Sequence, residues 1–144
     1  MNRGLGALLA VLVAGIPAGV AAAAEPELPV PIQQYETVRY YSGGVGIEER
    51  RQLPQLYPLK VVFRTDRGHL LCNAEVTVSS AGKTVFRGRA DNGPWLVVDL
   101  PPGSYDITAV QDGKSRTAKG VGLVAGRPRT LVLTWKVADV DMGL

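Results

Sequence analysis

Asp66, His69 and Cys72 recur at intervals of three in a chain that has one histidine and one cysteine in all. These side-chain types ligate zinc and copper. A metal site needs three or four converging ligands, however, and one imidazole with one thiol is too thin a donor set for either ion. Nucleophilic catalysis needs a base held against a nucleophile. His69 follows Gly68 at no spacing that ties it to a serine or makes Asp66 its orienting partner, so it reads as an ordinary loop histidine. The expectation is no metal, no cofactor and no catalytic residue. Cys72 alone cannot form an intrachain disulfide and reads as a small buried hydrophobe, with an intermolecular bridge as the alternative.

The run Gly43-Gly44-Val45-Gly46 ahead of a short helix invites comparison with a phosphate-binding loop. It lacks the Lys-Ser/Thr pair and no βαβ strand precedes it. Glu48 and Glu49 would repel an anion at that helix start. A flexible hinge is the expected role. Three basic pairs fall two residues apart, Arg87 with Arg89, Lys114 with Arg116 and Arg127 with Arg129, so each pair shares a face wherever the segment is a strand. Two readings stand open: a surface for an acidic envelope polymer or partner, and solvated strands charged against edge-to-edge aggregation. Tyr40, Tyr41 and Trp95 are the aromatics that core alternation explains least, and aromatic side chains are favoured at recognition surfaces. Trp95, beside a Gly-Pro turn, could equally pack an N-terminal arm against the main domain. Tyr40, Tyr41, Trp95, Arg87 and Arg89 are the candidate ligand- or partner-binding residues.

The elements that would position these residues are strands. From residue 59 onward, short runs of β-branched, aromatic and aliphatic residues alternate with polar ones between turn residues. Residues 59–65, 74–79, 84–89, 95–100, 104–111, 114–121 and 129–135 make seven strands, at the spacing of a β-sandwich. Within the fourth, Leu96, Val98 and Leu100 are the core set; within the fifth, Tyr105, Ile107 and Ala109 share the buried face. Asp112-Gly113 is the strongest hairpin signal and Ala81-Gly82-Lys83 a second. Residues 25–58 differ in composition. Pro26, Pro29 and Pro31 favour an extended arm over a strand, and one short helix is expected over residues 47–53, stopped by Pro54.

The first 24 residues have the pattern of an export signal: Arg3, an apolar run over residues 5–13, and alanines 21–24 as a small-residue cleavage site after Ala23 or Ala24. Gly15, Pro17 and Gly19 argue against a retained membrane anchor, so no membrane span is expected after cleavage. The formal charge of +3 falls by one with Arg3. That near-balance, without a basic block, argues against a nucleic-acid partner. The organisation expected is a signal peptide over 1–24, an arm with a Gly-rich loop and short helix over 25–58, a sandwich over 59–137 and a flexible tail over 138–144, in a protein that is periplasmic or secreted.

The segment Leu100-Pro101-Pro102-Gly103-Ser104-Tyr105-Asp106-Ile107-Thr108-Ala109, with the turn at Asp112-Gly113, resembles the carboxypeptidase regulatory-like domain, a transthyretin-like (prealbumin-like) sandwich. The resemblance extends over residues 59–135. The segments Asp91-Asn92-Gly93-Pro94-Trp95 and Gly43-Gly44-Val45-Gly46 resemble small exported bacterial envelope proteins that carry this domain. The resemblance implies an all-β, seven-stranded antiparallel Greek-key β-sandwich and a non-catalytic module for binding or structural support. The expected function is an exported interaction module of the cell envelope whose partner is an envelope protein or a glycan, with a carbohydrate-binding module as the alternative. Hydrolases of transthyretin-like fold rely on several histidines, an arginine and a Tyr-Arg-Gly-Ser segment, and this sequence has neither the histidines nor the segment. A self-crosslinked adhesin-type domain would need an asparagine in its last strand, but the asparagines are Asn2, Asn73 and Asn92.

Overall fold

A computed structural model of the chain describes residues 27–140. The signal peptide expected over residues 1–24 and the end of the tail, residues 141–144, lie outside the described residues. The chain runs β1 (Gln33–Tyr35), β2 (Val38–Gly43), α1 (Gly46–Gln52), β3 (Leu59–Thr65), β4 (Glu75–Ser80), β5 (Lys83–Arg89), β6 (Trp95–Val98), β7 (Gly103–Gln111), β8 (Lys114–Leu123), β9 (Arg129–Trp135) and a 3-10 turn (Val137–Asp139). One sheet, A, has the order β1-β2-β6-β3-β9; the other, B, has the order β5-β4-β7-β8. The result is an all-β, sandwich-like fold with one short helix.

All seven strands expected from residue 59 onward are present, but the count is nine among the described residues. The two extra strands come from the arm. Pro26, Pro29 and Pro31 all precede β1, and residues 33–43 contain no proline, so nothing bars ladder pairing there. A two-residue turn with Glu36 at φ 53° joins β1 to β2, and β2 then pairs with β6. A purely antiparallel sandwich is also corrected: β3 and β9 run parallel from Leu59↔Arg129 to Thr65↔Trp135. Sixty-odd residues of intervening chain, most of them in sheet B, form the crossover that a parallel pair requires. At the start of the tail, Val137 N–H bonds the Asp66 carboxylate and Val140 packs on the core.

Alternation sets the core. Leu59, Val61 and Phe63 of β3 face Val76 and Val78 of β4, Phe86 of β5 and Tyr105, Ile107 and Ala109 of β7, with Leu96 and Val98 of β6 completing the inner face of sheet A. Leu100, as expected, is buried with them. Both short hairpins have two left-handed residues, Asp112 and Gly113 at φ 50° and 75°, Ala81 and Gly82 at φ 51° and 79°. Such pairs suit the right-handed twist of the flanking strands. Where the sandwich opens between β8 and β9, arginines bridge the gap: Arg129 Nη1 donates to Gly122 O at 3.0 Å and Arg116 Nε to Thr134 O at 3.0 Å. Trp135 Nε1 donates to Lys114 O at 2.8 Å beneath Arg116. These bonds occupy edge carbonyls that would otherwise be open to a foreign strand.

Tyr105 closes the Pro101-Pro102-Gly103 reversal, its hydroxyl donating to Pro101 O at 2.5 Å while its ring is buried. The arrangement is akin to the tyrosine corner of other sandwiches. Tyr105→Ala is expected to cost about 3–5 kcal/mol, the usual loss for a truncated buried aromatic. Tyr105→Phe, which forfeits the hydroxyl alone, should cost about 1 kcal/mol. Urea denaturation measures both, and an unchanged midpoint in the alanine variant would contradict the β7 register.

Candidate functional site

The arm meets the sandwich at two glycine-rich segments that lie far apart in sequence. Gly93, at φ 147°, approaches Gly43 so closely that a Cβ on it would lie 2.3 Å from the Gly43 carbonyl oxygen. Ser42, fully buried beside them, accepts the Asn92 N–H at 3.1 Å. One residue on, Gly44 at φ 96° rests against the Trp95 ring, with a Cβ position 2.9 Å from Cδ2. Only glycine accommodates both the backbone angle and the contact.

The hinge expected at residues 43–46 is therefore a pinned loop. Glu49 reaches back from α1 to accept the N–H groups of Gly44 at 2.6 Å and Val45 at 3.0 Å, much as the acidic half of a capping box does. Arg50 donates to Gly44 O at 2.9 Å. The loop so held and the first turn of α1 present Val45, 57% exposed, and Ile47, 61% exposed, with no core contact for either.

Tyr40 and Tyr41, expected at a recognition surface, are buried. Successive side chains of β2 go to opposite faces of sheet A, and both faces are covered there, one by the main core and one by a smaller cluster beneath the arm. Tyr40 points into the main core, edge-on to Phe86 at 4.8 Å between ring centroids, in space that Gly88 leaves by having no side chain. Tyr41 points outward under the arm into a second small core with Val30, Leu53, Tyr57 and Val97. Its hydroxyl donates to Pro54 O and accepts the Leu56 N–H at 2.9 Å, so it fastens the chain after α1. Burial raises the pKa of Tyr40, of Tyr41 and of Tyr105.

Trp95 is half-buried, and its ring serves the fold. Lys60 Nζ sits 3.3 Å from the ring centroid, a cation–π contact, and burial there lowers the lysine pKa. Between Gly44 and Lys60, Trp95 packs the arm against the sandwich. Arg87 and Arg89 lie on the opposite side of the molecule, on the outer face of sheet B. Arg89 pairs with Glu75 at 2.5 Å, both side chains more than half exposed, where such pairs contribute little. Arg87 has no ion-pair partner among the described residues. These side chains border a shallow groove of about 440 Å³ that continues into a depression of about 530 Å³ lined by Leu71, Cys72, Asn73 and Gln111. The five sequence-predicted residues thus form no single site.

Cys72 is exposed, against expectation, because Leu71 and Ala74 take the inward places of that connection. Its partly desolvated surroundings nonetheless raise the thiol pKa and disfavour the thiolate. Asp66, His69 and Cys72 do not converge: the Asp66 carboxylate holds the Val137 N–H, His69 bonds Thr65 through its backbone, and no group of three such ligands is assembled among the described residues. Val45, Ile47, Lys60 and Glu49 were not legible as site residues. The available signal was Val45 and Ile47 in a glycine-broken stretch with no alternating partner. Comparison with protein-family models gives no match, and comparison with curated proteins gives none.

Gly93→Ala should destabilise the fold by roughly 1–3 kcal/mol from backbone strain alone, read as a lower urea midpoint together with altered fluorescence of Trp95. A tyrosine whose pKa is raised on folding contributes stability that is fully present below its unfolded value, about 10, and is lost as pH rises through its folded value. The urea midpoint is therefore expected to hold up to about pH 9 and to fall beyond about pH 10. Tyr41→Phe should make that fall shallower. An equal alkaline fall in this variant would assign the effect elsewhere.

Proposed function

We propose that this chain is a non-catalytic binding module exported to the cell envelope, periplasmic or secreted, on a Greek-key sandwich of the carboxypeptidase regulatory-like, transthyretin-like kind. Two facing sheets, with seven strands where residues 59–135 resemble that domain, support the fold reading. The observation that carries the functional reading is the pinned loop. Two glycines at positive φ, a carboxylate, an arginine and a tryptophan ring hold four residues in place, and the loop with the first turn of α1 displays Val45 and Ile47 to solvent. A preorganised loop with protruding apolar side chains suits a protein partner, since little ordering entropy remains to be lost on contact. Burying Ile47 at an interface would contribute roughly 1.5–3 kcal/mol.

A carbohydrate-binding role is the weaker reading. Sugar rings stack on open aromatic faces, whereas the Trp95 ring is occupied by Lys60 and Gly44, and Tyr40 and Tyr41 are buried. A photo-crosslinking residue at position 47, placed in the full chain in its native envelope, is expected to give a discrete protein adduct. Ile47→Asp, combined with a label at position 45, should remove that adduct and leave the urea midpoint nearly unchanged, as surface substitutions do. A glycan adduct, or none, would set the protein-partner reading aside.

A further inference from the structure

The outer face of sheet A is closed over only half its width. Above β2 and β6, the arm and its small core cover Tyr41 and Val97. Above β3 and β9, Val132 is 44% exposed and Arg64, Thr130 and Thr134 are open. One rung of the sheet runs Gly43–Trp95–Val62–Val132, which sets three apolar side chains in line. The rungs on either side carry Lys60 with Thr130 and Arg64 with Thr134. β3, β6 and β9 contain no aspartate or glutamate, and neither Lys60 nor Arg64 has an ion-pair partner among the described residues. The open half-face is an apolar centre flanked by Arg64 on one side and on the other by Lys60, whose ammonium rests on the Trp95 ring, with no carboxylate paired to either among the described residues. On sheet B, by contrast, Arg89 is met by Glu75.

We propose that this half-face is a docking surface for a protein partner that places an apolar side chain on Val62 and Val132 and carboxylates toward Lys60 and Arg64. Four residues apart on one strand, the Cα atoms of Lys60 and Arg64 are separated by roughly 13 Å, and Lys60 Nζ leans over the Trp95 ring. The chemistry selects against other occupants. A second copy of the chain in the same mode would press cations against cations, and a neutral glycan would answer neither charge. The proposal rests on the interaction-module reading and names the partner class; the loop bearing Val45 and Ile47 borders the same Trp95 rung.

The test uses a photo-crosslinking residue at position 132 and, separately, at position 47, each in the full chain in its native envelope, with mass spectrometry of the linked peptides. The expected result is one protein linked at both positions, with a peptide rich in aspartate or glutamate at position 132. Yield there should fall roughly tenfold in Arg64→Glu and fall as salt is raised, because charge complementarity is screened. Lys60→Glu should act likewise, but Arg64→Glu is the deciding variant because Lys60 also packs on Trp95; an unchanged urea midpoint establishes that the variant is folded. A self-adduct, a glycan or lipid adduct, or a protein adduct indifferent to charge reversal and salt overturns the proposal. Linkage at position 47 without linkage at 132 discards this surface while leaving the interaction module standing. Linkage at neither position removes both.

Discussion

Between Gly43 and Gly93 there is no room for a methyl group, and the attachment of the arm depends on that closeness. It brings the end of β2 alongside the start of β6, lets Ser42 accept the Asn92 N–H, and sets Gly44 on the face of Trp95. β6 consequently has both faces covered: Leu96 and Val98 look into the main core, and Val97 looks into the small core beneath the arm. A four-residue strand buried on both faces, with neighbours on both edges, joins two hydrophobic clusters that share no residue. The arm is thus an integral part of sheet A, even though its composition is that of a linker.

The two outer faces are built differently. Sheet A is half-roofed, and its open half is apolar and cationic. Sheet B carries hydroxyls along its middle, with Thr108 bonded to Thr117, and a compensated Arg89–Glu75 pair near its edge. The open side of the sandwich is drawn together by Arg116 and Arg129, which bond carbonyls of the opposite strand. Two of the basic pairs thus contribute a member to edge closure. The pair at Arg87 and Arg89 borders a groove.

Local pattern revealed the sandwich well. Seven strands, the buried set on β6, Tyr105 in the core and the Asp112-Gly113 turn all follow from alternation and turn chemistry, which operate over a few residues. The arm strands are hidden by Pro26, Pro29 and Pro31, which give the segment the composition of a linker although all three lie before residue 33, where pairing starts. Tyr40 and Tyr41 were misplaced for a related reason: two adjacent aromatics cannot both belong to one alternating face, and only a strand buried on both sides accommodates them. The roles of Gly44, Gly93 and Trp95 arise from contact between segments some 50 positions apart, as the Ser42–Asn92 bond shows, and no single-sequence periodicity carries that information. Lys60 on Trp95 is of the same kind.

That separation also orders events along the growing chain. β2 is made early and closes locally on β1, but its other partner, β6, does not exist until residue 98 has been added, and the parallel partner of β3 follows only with residues 129–135. The hairpins β1–β2, β4–β5 and β7–β8 close over two-residue turns and need nothing distant. Loop-closure entropy therefore weighs most on the arm and on the β3–β9 ladder. Until they close, the Tyr40-Tyr41 pair and the inner residues of β3 remain exposed. Before β6 is made, β2 has only β1 for a partner strand and β3 has none, and Pro29 and Pro31, which cannot donate to a ladder, stand just ahead of β1, where a premature strand would otherwise extend.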